Sequence, residues 1–275
     1  MKIIKMNCPN CGAPADEGSN DLNDPYLGLT DEEVLRISSY REIGGFEDRN
    51  DIEIVVSSKT DGLCIRKFLT SYDLEIYRFL KDNPVPHMPG IIDLVESRNC
   101  LIVIEEYIEG HTVQQMIEDK SFSGREAVKV AIGVCSVLKE LHSLPVPIVH
   151  RDVKPSNIMI SPHGEVFLLD MDAAKWYGDD KKEDTRPIGT WKYAAPEQFG
   201  FGFTSSCAKT DIYAMGILLN EMLTGRVPKE QKAPEPYWHI IEHCINLYAD
   251  DRYDVDELLL ELRKVDGTTD IHEGH

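Results

Sequence analysis

The stretch His150-Arg151-Asp152-Val153-Lys154-Pro155-Ser156-Asn157 decides the reading of this chain. A long stretch of helical periodicity precedes it. Two short apolar runs, residues 158–160 and 166–169, follow it, and the second ends at Asp170. Short strands joined by loops bring their ends together, so the side chains of Asp152, Lys154, Asn157 and Asp170 can converge. Two carboxylates, an amide and an ammonium suit a metal-bound phosphate beside a hydroxyl that must lose a proton.

Composition sets the outer bounds. The 275 residues are enough for one large core or two lobes, and 42% are hydrophobic. The 48 acidic residues outnumber 29 basic ones, giving a net charge of -19. That balance weighs against nucleic acid or an anionic membrane as partner, and any phosphate site must be locally basic. No apolar run reaches eighteen residues, so no membrane span is expected. Residues 1–6 are too short and too basic for a secretory signal. Seven cysteines, an odd number, suggest free thiols in a reducing, cytoplasmic compartment. Cys8 and Cys11 in C-P-N-C-G are candidate zinc ligands in a ribbon-like knuckle, yet a structural site needs four ligands and no second C-x-x-C follows. His272 and His275 could complete it, though they look like a flexible end. Cys64, Cys100, Cys135, Cys207 and Cys244 fall mostly in apolar segments and read as small core residues.

Residues 13–29 are acidic and turn-rich and read as a linker. Thr30 to Glu33 is a capping box that opens a short helix to about Ser39. Residues 52–56 and 63–69 alternate as strands around the turn Thr60-Asp61-Gly62. A helix is expected from about Ser71 to Lys81, before Asn83-Pro84. Residues 91–96 and 100–105 form a second hairpin. Ser123 to Glu126 is another capping box, followed by apolar residues at helical spacing up to His142. Asp211 opens an apolar helix over 212–223 that ends at Gly225. Two more helices are expected over 238–247 and 254–264.

The run 150–157 matches H-R-D-x-x-x-x-N at every fixed position. Tyr193-Ala194-Ala195-Pro196-Glu197 and Asp211 follow in the family's order. On these motifs the chain resembles the protein kinase family, in particular the compact eukaryotic-like Ser/Thr kinases of bacteria, without their usual membrane anchor. The resemblance covers residues 41–264. It implies an α+β fold with a small β-rich N-lobe (30–109) and a larger helical C-lobe (110–266), between a knuckle and linker (1–29) and a flexible tail (267–275).

The resemblance also implies roles. Asp152 would be the catalytic base and Lys154 would steady the moving phosphoryl group. Asn157 and Asp170 would bind Mg²⁺. In the strand Cys64-Ile65-Arg66-Lys67-Phe68, either Lys67 or Arg66 would meet the ATP phosphates; Lys67 is favoured, with Ile65 on its face. Glu75 would pair with that lysine. Glu106 and Ile108 would offer backbone groups to adenine, and Met159 would be a further ATP-binding residue. Glu105 guards the back of the pocket, where a carboxylate needs a partner or a raised pKa. Gly44-Gly45-Phe46-Glu47-Asp48 stands where G-x-G-x-x-G is usual and does not match it. In Asp170-Met171-Asp172 an aspartate replaces the usual glycine, which predicts a loop held inward with Asp170 facing the metal. Thr185 and Thr190 are candidate phosphosites, and Thr190 points to Ser/Thr specificity. His150, Arg151 and Asp211 would be structural, and Glu197 should pair with Arg252. ATP, Mg²⁺ and a protein hydroxyl are the implied ligands, with self-association for autophosphorylation.

Overall fold

The computed structural model describes residues 24–46, 49–119, 122–178, 191–199 and 206–272, except the side chains of 268–272. Cys8, Cys11, Thr185, Thr190, His275 and the pair Glu47-Asp48 lie outside the described residues, as does the side chain of His272.

Helix α1 (Asp31–Ser38) leads in, with the capping box between Thr30 and Glu33 formed. Strands β1 (Tyr40–Phe46), β2 (Arg49–Ser57), β3 (Leu63–Leu69), β4 (Ile91–Glu96) and β5 (Leu101–Glu106) build one antiparallel sheet in the order β1-β2-β3-β5-β4. Alternation along the strands sorts the side chains. Cys64, Ile102 and Ile104 join Ile37 of α1 in one cluster. Leu69, Leu101 and Val103 pack on the other face with helix α2 (Leu74–Asp82). That helix starts later than expected because the Asp73 carboxylate takes the N–H groups of Glu75 and Ile76. It buries Ile76, Tyr77 and Leu80, each worth about 1.5–3 kcal/mol.

The second lobe runs β6 (His111–Thr112), α3 (Val113–Glu118), α4 (Gly124–His142), β7 (Ile148–Val149), β8 (Ile158–Ile160), β9 (Val166–Leu168), β10 (Lys175–Trp176), α5 (Ala208–Thr224), α6 (Tyr237–Cys244) and α7 (Val255–His272). Helix α4 carries the Ser123–Glu126 capping box. Helix α5 is buried along nearly its whole length and closes at Gly225, whose φ of 69° is left-handed. Val134, Leu138, Ile212, Leu218, Ile241 and Leu262 sit in one core that joins α4 to α7. The helix expected over 254–264 is longer than that: α7 continues to His272. Once nucleated on the core, a helix extends at little cost, one bond per residue fixed. Among the described residues no helix is long and apolar enough to cross a membrane.

Candidate active site

Residues 150–157 hang between two anchored strands. Strand β7 pairs with β10, and β8 pairs with both β6 and β9. The loop's backbone is gripped from below by Asp211, which is fully buried at the start of α5. Its two oxygens accept from His150 N at 2.9 Å and Arg151 N at 2.7 Å, and one also meets His142 Nε2 at 2.8 Å. Arg151 has φ 70°, a left-handed setting for a side chain with a Cβ. Such a setting costs on the order of 1–3 kcal/mol and needs outside support. Gln198 adds support, donating to Arg151 O at 2.9 Å while accepting from Ala195 N at 2.9 Å. The neighbouring Glu197 is held by Arg252 through bonds of 2.7 and 2.9 Å and by Thr210 at 2.8 Å, all buried. This is the pairing the sequence suggested.

Within the loop, Asp152 Oδ2 lies 2.6 Å from Lys154 Nζ and accepts from the Asn157 amide at 3.1 Å. The same amide reaches Asp152 O at 3.0 Å. His150 is buried and its Nε2 meets Leu169 O at 3.1 Å, tying the loop to the residue before Asp170. Leu169 N returns a bond to Asn157 O at 2.8 Å. Three of the four residues first noted are thus in direct contact, and Asn157 and Asp170 line one cleft.

That cleft, about 390 Å³, lies between the sheet and β8. Ile52, Ile65 and Met159 give it apolar walls, and Glu106, Tyr107 and Ile108 also border it. Glu106 N donates to Gly90 O at 2.9 Å, so its backbone N–H is already used. At Gly110 a Cβ would stand 2.1 Å from Ile160 O, so only glycine lets this segment close on β8.

The head of the cleft holds the charges. Lys67 and Glu105 are both buried, with Nζ and Oε1 2.8 Å apart. Asp170 Oδ1 is 3.8 Å from the same Nζ. Burial would lower the lysine's pKa, but Glu105, Asp170 and Asp172 outweigh it and raise it. Of the two remedies expected for Glu105, a partner or a raised pKa, the structure supplies both. Burial pushes its carboxyl up, and Lys67 only partly offsets that. Burial also works to raise Asp170, yet Lys67 and a bond from Asp172 hold it down at about 2. Asp172, by contrast, is pushed up to about 8 by burial and by its bond to, and the charge of, Asp170. Tyr77 donates to Asp172 Oδ1 at 2.6 Å. Met171 is buried against the α2 face, and Asp170, with φ 70°, lines the cleft.

One expected partner is not there. Glu75 does not pair with Lys67; it is 71% exposed and bonds Arg78 at 2.8 Å. The α2 residues that turn inward are Ile76, Tyr77 and Leu80, which leaves Glu75 on the outer face. That apolar phase was legible and would have excluded Glu75. Arg66 turns to the opposite face of the sheet, bonding Glu53 and, at 3.1 Å, Tyr40 O. Lys67 is therefore the basic residue of β3 in the cleft. Arg49, at the start of β2, also borders the cleft and feels Asp170 and Asp172. The sequence motifs do not single it out; a basic residue directly after the acidic pair Glu47-Asp48 is the available signal.

The donor set fits Mg²⁺. One oxygen of Asp170, Oδ1, is buried without a hydrogen-bond partner. With the Asn157 amide nitrogen turned to Asp152, its oxygen is the atom left for a cation. Among the described residues no cluster of three or more His, Cys, Asp and Glu could hold a metal. Mg²⁺ commonly takes only one or two protein ligands and fills its octahedron with phosphate oxygens and water.

The family model "Protein kinase domain" matches residues 68–264. The match begins one residue after Lys67 and so leaves out the glycine-poor hairpin. The serine/threonine-protein kinase PrkC of Bacillus subtilis is 34% identical over 145 residues, 52% of this chain and 22% of its own length. A probable serine/threonine-protein kinase PknB of Corynebacterium glutamicum is 36% identical over 146 residues, 51% of this chain and 22% of its own. A probable receptor-like protein kinase of Arabidopsis thaliana is 34% identical over 148 residues, 51% of this chain and 30% of its own. The alignments thus span under a third of these relatives. With the family match covering well over half its residues and the two-lobed fold around one cleft, this chain belongs to the protein kinase family.

Proposed function

We propose that the chain transfers the γ-phosphoryl group of ATP to serine or threonine hydroxyls of proteins. The observation that carries this is the contact cluster of Asp152, Lys154 and Asn157, with Asn157 sharing a cleft with Lys67 and Asp170. Asp152 accepts the proton of the acceptor hydroxyl and aims it at phosphorus. Lys154, 2.6 Å from Asp152, stabilises the charge on the moving phosphoryl group. Lys67 holds the α- and β-phosphates, and Ile52, Ile65 and Met159 clasp the base. Asn157 and Asp170 would hold Mg²⁺, which when bound neutralises the triphosphate. Most of the catalysis is positioning and charge, so a few rigidly held groups suffice. The acceptors include a second copy of this chain, through Thr185 or Thr190, and the setting is cytoplasmic.

A second reading, nucleotide binding without transfer, is favoured by one observation: the hairpin over the phosphates has only Gly44 and Gly45 before its acidic tip. Labelled ATP, Mg²⁺ and a general protein acceptor separate the two. Acid hydrolysis should yield phosphoserine or phosphothreonine, reduced about 10²–10⁴-fold in Asp152→Ala. ATP binding with no labelled acceptor from either protein would leave the second reading.

A further inference from the structure

In this sheet the lysine of the cleft is held by its own neighbour strand. Lys67 lies opposite Val103 and Ile65 opposite Glu105 in the β3–β5 pairing. Lys67 and Glu105 are therefore diagonal neighbours on one face, within reach of long side chains. Their Nζ–Oε1 contact of 2.8 Å joins side chains only 6% and 11% exposed. Helix α2 sends no carboxylate to the site. Its inward residue, Tyr77, instead donates to Asp172 at 2.6 Å.

We propose that Glu105 is the positioning residue for Lys67: it fixes the ammonium at the head of the cleft from within the sheet, so the lysine is set for phosphate whatever the position of α2. This rests on the kinase reading for what Lys67 does, and it deepens that reading. Both partners sit on strands tied together by a full antiparallel ladder, so their geometry is set when the sheet forms. Helix α2 is connected to the chemistry by another route. A shift of α2 pulls on Asp172 through Tyr77, and so on the adjoining Asp170, while the Glu105 contact to Lys67 stays within the sheet. Regulation through α2 would then act on the metal-binding turn and not on the lysine.

A buried lysine needs a counter-charge in any case, so the test must separate neutralisation from positioning. Glu105→Asp does this. It keeps the charge, and with it the fold, but shortens the arm by one methylene. Neutralisation alone predicts unchanged kinetics. Positioning predicts a fall in kcat/KM for ATP of about tenfold, since a misplacement near 1 Å can cost up to ~100-fold. Glu105→Gln should fall further, and Glu75→Ala should match wild type. Unchanged kcat/KM in folded Glu105→Asp, or loss on Glu75→Ala instead, overturns the proposal. Should the wild type turn over no ATP, the activity reading falls by itself. Calorimetric titration with Mg·ATP then decides this one: Kd weakened several-fold by Glu105→Asp supports it, and an unchanged Kd overturns it.

Discussion

Asp211→Asn should loosen the whole catalytic loop from a distance. The carboxylate is fully buried and accepts from two backbone N–H groups and one imidazole, at 2.7–2.9 Å. An asparagine can keep its oxygen toward His150 and His142, but its NH₂ must then face the Arg151 N–H. One charge-assisted bond is lost, about 1.5–3 kcal/mol, and a buried donor is orphaned, about 1–3 kcal/mol more. The sum, roughly 2.5–6 kcal/mol, corresponds to a drop of roughly 5–20 °C in the melting transition for a domain of this size. Arg151, at φ 70°, loses the bond that offsets its backbone strain. Asp152 follows directly, so turnover should fall by about 10²-fold if it moves near 1 Å. A pH signature accompanies this. Burial alone would raise the Asp211 carboxyl, but the bond from His142, the nearby imidazoles and the Arg151 N–H hold it below the usual range. A depressed acid stabilises the fold above its unfolded pKa, about 4, and that stabilisation is lost as pH falls through the folded value. Asp211→Asn should lack this part of the acid decline. Calorimetric melts from pH 2 to 7, with turnover of ATP at pH 7, make the assay. An asparagine variant that melts within about 1 °C of wild type and keeps full turnover would refute the reasoning, given the roughly 2.5–6 kcal/mol at stake.

Other perturbations read other parts of the structure. Glu197→Ala strands the Arg252 guanidinium in the core, and denaturant unfolding should show a loss of about 3–5 kcal/mol. Arg49→Ala should raise KM for ATP several-fold, more at low salt than at high, with little change in melting, because its Asp51 partner is exposed. Asp172 has a raised pKa, about 8, so the unfolded chain releases its proton first and stability falls as pH rises from about 4 through 8. In metal-free buffer Asp172→Asn should flatten that fall; an identical pH profile counts against a buried, protonated Asp172.

What the sequence made plain was local. Residues 150–157 carry their chemistry within eight consecutive positions, so no fold was needed to see that Asp152, Lys154 and Asn157 would meet. The capping boxes at Thr30 and Ser123 were legible for the same reason. Asp211 and the Glu197–Arg252 pair were reached through family order, since contacts across 55 or more residues leave no local trace. The lysine's partner was the failure. Glu105 as a buried carboxylate needs a counter-charge and Lys67 needs a carboxylate, yet nothing within either segment joins the two. Their meeting depends on the register of β3 against β5, which neither strand reveals alone. Glu75 was chosen by its helix and not by its face; the inward phase of Ile76, Tyr77 and Leu80 excludes it.

The central claim is phosphoryl transfer from a nucleotide in this cleft to a hydroxyl held by Asp152, which contacts the cleft residue Asn157. Mg²⁺-dependent formation of ADP, followed for the wild type and Asp152→Asn at equal protein concentration, tests it most directly. The account predicts turnover by the wild type that vanishes without Mg²⁺ and falls about 10²–10⁴-fold in the variant. Equal rates in both proteins, or turnover indifferent to Mg²⁺, would contradict it.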